Sequence, residues 1–428
     1  MIEIYEGGRI DGFLKRLETR REETSREVRN AVQDIITDVR KHGDEAVLRY
    51  TREFDKVEIP ENAIRVPEPE IRAAMDAADP AFLDVLRRSA ENIRRFHGRG
   101  ARRSWIEWES DGVMLGQRVR PLDRVGVYVP GGRAAYASSL LMAVVPAQVA
   151  GVREIAVVSP PGSEGHPHPS ILAAAGVLGL TEFYRIGGAQ AVAALAAGTE
   201  TVRRVDKIVG PGNLYVAEAK RQVFGTVAID MVAGPSEVVI LADETADPAF
   251  IAADLLAQAE HDPTASSVCV TPDAALAEGV RGAVAEQAEP LHRKPIVAAS
   301  LRVWGGILRV KSMEEAVDLV NRLAPEHLGI HAKNAWELVE SVRHAGAIFL
   351  GDWSPETVGD YWAGPNHILP TNTTARFSSP LGTDDFLKTS SLISWSRRAL
   401  QRDAEPIMKF AAMEGLDAHV NAVRKRIE

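Results

Sequence analysis

Val125-Gly126-Val127-Tyr128-Val129, closed by Pro130-Gly131-Gly132, decides the fold. Five small or apolar residues ahead of a turn read as a buried strand, and the apolar run from about Ser138 reads as the helix that follows. The rhythm repeats downstream. Ile155-Ala156-Val157-Val158 is a strand, a helix lies near Ile171, Phe183-Tyr184-Arg185-Ile186 is a strand, residues 189–197 form a helix, and Lys207-Ile208-Val209 is a strand. It resumes with the strand Val238-Val239-Ile240-Leu241, a helix over 250–260, a strand through Cys269, a helix ending near Leu323, and strands at Leu328-Gly329-Ile330 and Ile348-Phe349-Leu350. Strands alternating with helices imply parallel sheets with right-handed crossovers.

The predicted fold class is therefore α/β: two incomplete Rossmann-like parallel-sheet domains, joined near Ala233-Gly234-Pro235-Ser236, with a helical N-terminal segment and a helical C-terminal arm. Upstream, Val28, Val32, Ile35, Ile36 and Val39 recur at helical spacing, and Gly43 ends that helix. Beyond Pro380 the chain is polar and reads as helical. The expected division is 1–27, a helical arm; 28–122 with 237–378, one α/β domain; 123–236, the other; and 379–428, a helical arm that packs on a partner subunit.

The 428 residues exceed a single ordinary core. A hydrophobic share of 45% and a charged share of 25% fit a globular protein, and a net charge of -9 argues against nucleic acid, whose backbone demands clustered Lys and Arg. The single cysteine, Cys269, rules out an internal disulfide and a cysteine zinc cage; its apolar setting predicts an inert core thiol. The opening Met1-Ile2-Glu3-Ile4 has no basic stretch of a secretory signal, and the apolar region Leu140 to Val152 is too short to cross a bilayer. A cytoplasmic enzyme without membrane or nucleic-acid partner is the expectation.

Three turns after strands are rich in glycine: Pro130-Gly131-Gly132, Gly187-Gly188-Ala189-Gln190 and Gly210-Pro211-Gly212-Asn213. Such turns serve as plain chain reversals, or they let backbone and a helix N-terminus approach a phosphate at the C-terminal ends of the strands. None matches G-x-G-x-x-G. Gln258 and His261, at i and i+3 near a helix end, share a face; His261 alone suits either a metal or the helix dipole. Pro325-Glu326-His327 offers a carboxylate beside an imidazole, either a pair of proton-transfer groups or an ordinary helix start. Asp360-Tyr361-Trp362-Ala363-Gly364-Pro365-Asn366-His367 is an irregular loop carrying an acid, an amide and an imidazole. In the tail, Gly415 allows Glu414 and His419 to converge despite a spacing of five.

Together these pieces resemble the histidinol dehydrogenase family. Ile229-Asp230-Met231-Val232-Ala233-Gly234-Pro235-Ser236-Glu237, followed by Gln258-Ala259-Glu260-His261, is similar to that family's signature, and the remaining motifs match in order over nearly the whole chain. The resemblance implies oxidation of L-histidinol through L-histidinaldehyde to L-histidine, the last step of histidine biosynthesis, with two NAD reduced. It implies one Zn²⁺ per subunit on Gln258, His261, Asp360 and, from the other subunit of a homodimer, His419. Glu326 would activate water and His327 would be the base. Tyr128, Gln190 and Asn213 would contact NAD in 123–236, and Ser236, Glu414, His327 and the metal ligands would contact substrate. The sequence departs from the family's commoner pattern at Pro370-Thr371-Asn372-Thr373-Thr374 and at Ala137-Ser138-Ser139.

Three other readings share these features. One is a related zinc enzyme for another small polar alcohol, such as a sulfonated propanediol. Another is a thiol aldehyde dehydrogenase using Cys269. The third is a two-domain binding protein without catalysis, which leaves Glu326-His327 unexplained.

Overall fold

The computed structural model describes residues 2–19, 25–131 and 136–428. Its strands are β1 (Ile4–Glu6), β2 (Trp105–Trp108), β3 (Met114–Pro121), β4 (Arg124–Tyr128), β5 (Glu154–Val158), β6 (Phe183–Tyr184), β7 (Lys207–Val209), β8 (Ala228–Ile229), β9 (Glu237–Ala242), β10 (Ser266–Thr271), β11 (Gly305–Arg309), β12 (His327–His331), β13 (Ala347–Leu350) and β14 (Leu387–Ser394). They form three sheets, in the orders β6-β5-β4-β7-β8, β1-β11-β10-β9-β12-β13 and β14-β3-β2.

The first two sheets are parallel throughout. Counted from β4, the five-stranded sheet runs 3-2-1-4-5; counted from β9, so does the other, with β1 added at its edge. This is the doubly wound order without its sixth strand, as expected from the alternating pattern. Because helices cover both faces, β4, β9, β10 and β12 are buried along their whole length, which is why they read as continuous apolar runs.

The N-terminal segment is helical over Gly8–Thr19 as expected, but it opens with a strand and packs on a sheet instead of standing as an arm. Ile4, Tyr5 and Glu6 pair with Ile307, Leu308 and Arg309, and the helix Gly8–Thr19 buries Phe13, Leu14 and Leu17 against the six-stranded sheet. The helices after it also differ from the expected grouping of 28–122 with 237–378. Arg26–Asp55 buries Val32, Ile35, Ile36 and Val39 with Ile186, Val192, Leu195 and Val216 of the five-stranded unit. Ile71, Leu86 and Ile93, from helices Glu68–Asp76 and Pro80–Gly98, join the core of β4 and helix Ala137–Ala150.

Gly43 breaks its helix as expected, with φ +52, and helix resumes at once. The reason is a close approach: a Cβ there would lie 2.1 Å from Glu200 Oε2, the carboxylate that accepts the Asp44 N–H at 2.8 Å. The C-terminal arm also differs. Before its helices Arg397–Met413 and Asp417–Ile427 it contributes β14, paired antiparallel with β3 from Leu387 opposite Pro121 to Ser394 opposite Met114. The expected strand over 183–186 is shorter, Phe183–Tyr184.

Candidate active site

The glycine turns follow the C-terminal ends of β4, β6 and β7, as their positions required; Gly132 lies outside the described residues. Their glycines answer to internal packing. A Cβ on Gly210 (φ +112) would lie 2.1 Å from the Tyr128 carbonyl oxygen, and one on Gly187 would lie 2.5 Å from Pro160. The Gly210 turn is held from below: Asp230 accepts its N–H at 2.8 Å, Lys220 Nζ donates to its carbonyl at 2.9 Å, and Lys220 and Asp230 form a buried ion pair. Sequence reasoning assigned neither residue, although Asp230 stood in the signature stretch.

Around this cradle the three expected cofactor contacts fall together at the strand ends. The Tyr128 hydroxyl accepts the Gly188 N–H at 3.1 Å, and burial pushes its pKa up to about 12. Asn213 caps helix Leu214–Val223, its Oδ1 accepting from Tyr215 and Val216. Gln190 is fully buried with both amide atoms lacking a protein partner, orphaned polar groups that fit a polar ligand.

The six-stranded sheet uses its opposite edge. Ser236 precedes β9, Glu326 precedes β12, and His327 is the first residue of β12. Gln258 lies in the last turn of helix Pro248–Ala259, and His261 is two residues beyond it, held by its N–H donating to the Gln258 carbonyl at 3.2 Å. The helix start that Pro325-Glu326-His327 offered as one reading is replaced by a loop into a strand. The rule that ligands sit at C-terminal strand ends holds for the first sheet and fails for the second.

The side chains converge. The Glu237 backbone N–H donates to Glu326 Oε2 at 2.8 Å, and His327 Nδ1 lies 3.1 Å from the Glu237 carbonyl oxygen. A carbonyl only accepts, so Nδ1 carries the proton and Nε2 is left as a base. Burial lowers the His327 pKa to about 4, which keeps the ring neutral. Burial also lowers that of His261. The Asp360 carboxyl is pushed up by burial, but its hydrogen bond to His367 and the facing imidazoles outweigh this and hold it below the ordinary value.

Ligand atoms of His261, Glu356 and Asp360 lie within 4.8 Å of one another. Gln258, fully buried, has both amide atoms unpartnered. An imidazole and two carboxylates around one point fit a divalent cation, and the orphaned Gln258 amide, one helical turn from His261, fits a polar ligand. Glu356 was missed by sequence reasoning. It begins helix Glu356–Tyr361 four residues before Asp360, a spacing that puts both on one face and was readable. His367, previously only a loop polar residue, joins the two units: its Nδ1 is 3.5 Å from Asp360 and its Nε2 3.3 Å from Ser139 on helix Ala137–Ala150. Asn366 and Thr371 make further bonds across, to the Met142 carbonyl and from the Gly234 N–H.

Glu414 and His419 do not join this cluster within one chain. They are exposed and line an apolar groove on the arm with Pro406, Ile407, Phe410 and Leu416; the turn at Gly415 (φ +72) brings the two to the same groove. Cys269 is fully buried in the core and its pKa is pushed up to about 12 by burial, so it is no nucleophile.

The model of the histidinol dehydrogenase family matches residues 18–427. The chain belongs to that family. It is 54% identical to the histidinol dehydrogenase of Geobacillus kaustophilus, over 95% of this chain and 96% of that one. It is 55% identical to that of Bacillus subtilis, over 94% and 93%. The crystal structure of histidinol dehydrogenase from Elizabethkingia anophelis superposes with a TM-score of 0.93 at 36% identity, covering 100% of this chain and 98% of that one. Family members are NAD-dependent oxidoreductases acting on an alcohol, which excludes the non-catalytic reading. No helix among the described residues is long and apolar enough to cross a membrane.

Proposed function

We propose that the chain oxidises L-histidinol through L-histidinaldehyde to L-histidine, completing histidine biosynthesis in the cytoplasm. The observation that carries this is the buried, neutral His327, with Nε2 free, beside Glu326 and the His261-Glu356-Asp360 cluster. The His327 ring and the Glu326 carboxylate are neighbours, Nδ1 and Oε2 being 3.7 Å apart. His327 Nε2 takes the alcohol proton in the first oxidation. Glu326 takes a proton from the water that adds to the aldehyde, and His327 takes the hydroxyl proton of the resulting hydrate.

NAD supplies the hydride acceptor for each of the two oxidations. Tyr128, Gln190 and Asn213 hold it at the strand ends of the first sheet. Gln258, His261, Asp360 and His419 of the partner subunit would hold one Zn²⁺ per subunit, which when bound would supply a positive centre for nitrogen donors of the substrate. Ser236, and Glu414 of the partner subunit, complete the substrate pocket. The exposed apolar side chains of Ile407, Phe410, Met413 and Leu416 support docking of the arm on a second copy.

NAD reduction with L-histidinol tests the assignment. The expected result is two NADH per histidinol with histidine as product. No turnover on histidinol, with turnover of a sulfonated propanediol, would overturn it.

A further inference from the structure

We propose that the buried pair Lys220-Asp230 is a positioning device for the dinucleotide, fixing the Gly210-Pro211-Gly212-Asn213 turn where NAD needs it; this rests on the cofactor reading above. Gly210 lies one residue past the last rung of its sheet: Val209 pairs with Val127, and β8 ends with Ile229 opposite Ile208. Gly210 is buried, so beyond the ladder its N–H and carbonyl need side chains as partners. Asp230 Oδ2 accepts the N–H at 2.8 Å, and Lys220 Nζ donates to the carbonyl at 2.9 Å. The two side chains are 2% and 1% exposed and pair with each other. A closed ring of side-chain bonds thus stands in for a missing rung.

Stability alone does not call for charges here. Apolar side chains of the same volume often replace a buried ion pair without loss. What the pair adds is geometry, at a turn whose φ of +112 no other residue takes easily. It also joins two loops. Lys220 lies on helix Leu214–Val223, which Asn213 caps. Asp230 opens the segment that leads to Ser236, and its Oδ1 accepts the Met231 N–H at 2.7 Å. That segment is fastened to the other unit where the Gly234 N–H donates to the Thr371 hydroxyl at 2.6 Å. The pair therefore ties the NAD contact Asn213 to the stretch that carries the substrate contact Ser236.

Equilibrium binding of NADH, followed by its fluorescence, tests this without turnover. Lys220→Gln with Asp230→Asn can keep both bonds to Gly210 through amide atoms and should bind NADH as wild type does. Lys220→Met with Asp230→Leu keeps the volume and neither bond; it should bind more weakly by about 10-fold, what one misplaced hydrogen bond to the ligand is worth. Asn213→Gly, which removes the side chain at little cost to the helix, reports on the cofactor site itself and should also bind weakly. If the apolar pair binds as tightly as wild type while Asn213→Gly binds weakly, the proposal is overturned and the cofactor reading stands. If both bind as tightly as wild type, both are overturned. An amide pair as weak as the apolar pair overturns the proposal too, because the bonds to Gly210 would then not be what matters. Should the apolar pair not fold, Lys220→Met with Asp230→Asn, which removes only the carbonyl's partner, replaces it under the same outcomes.

Discussion

His327 Nδ1 lies 3.1 Å from the backbone carbonyl oxygen of Glu237, one strand away. The same residue's N–H donates to Glu326 Oε2 at 2.8 Å, so a single peptide at the start of β9 orients both proposed proton-transfer groups. Asparagine at 327 can keep the Nδ1-type donor and lose the base. His327→Asn is expected to reduce kcat by about 10²–10⁴-fold. Glu326→Gln is expected to act likewise and to stall after the first NADH. Metal content and KM should change little; steady-state kinetics with metal analysis check this, and an unchanged kcat removes His327 from the chemistry.

Acid should loosen the fold through the same ring. Histidine ordinarily titrates near 6.5, and burial holds His327 near 4. Between these values the unfolded chain binds more protons than the folded one, so stability falls as pH falls. The contribution is whole above pH 6.5 and is lost through the window down to 4, up to about 3 kcal/mol. His261, also lowered by burial, has the same sign. Urea midpoints of metal-free wild type and His327→Asn at pH 7 and 4.5 should show a shallower fall in the variant; parallel curves would contradict it.

Sharing of the tail between subunits predicts rescue in mixtures. His419→Ala and Glu326→Gln homodimers should each be nearly inactive. After joint unfolding and refolding, half the dimers are mixed, and each mixed dimer has one site with an intact Glu326 and the other subunit's His419. Activity should return to about a quarter of wild type. No recovery despite mixed dimers seen by mass spectrometry would place His419 elsewhere.

Gly43 offers a test of the N-terminal half. Alanine there meets both a positive φ and a Glu200 oxygen 2.1 Å from its Cβ. Gly43→Ala should destabilise by about 1–3 kcal/mol while leaving KM for histidinol unaltered. Thermal or urea melts measure it; a variant as stable as wild type would mean that the turn relaxes freely.

Most strands of the two sheets were legible because strands buried on both faces carry unbroken apolar runs, as β4 and β10 do; β8, only two residues, and β11, opened by Gly305-Gly306, were not. β1 was not, being three residues beside acids, and β14 was not, because Leu387-Lys388-Thr389-Ser390-Ser391 is mostly exposed and shows no alternation. Within the site, Gln258 and His261 announced themselves by spacing. Glu356 stood four residues before Asp360, a readable spacing, but its place after Pro355, where an acid is what any helix start shows, drew attention away from it. The helices 26–98 carried plain apolar stripes, yet a stripe does not say which sheet it will meet.

The use of opposite edges by two sheets of identical strand order has an electrical consequence. Crossover helices point their amino ends toward the C-terminal edge of a parallel sheet and their carboxyl ends toward the other. The C-terminal edge of the five-stranded sheet is therefore biased toward anions and the N-terminal edge of the six-stranded sheet toward cations. Backbone polarity alone gives the two edges opposite electrical character, whatever side chains line them.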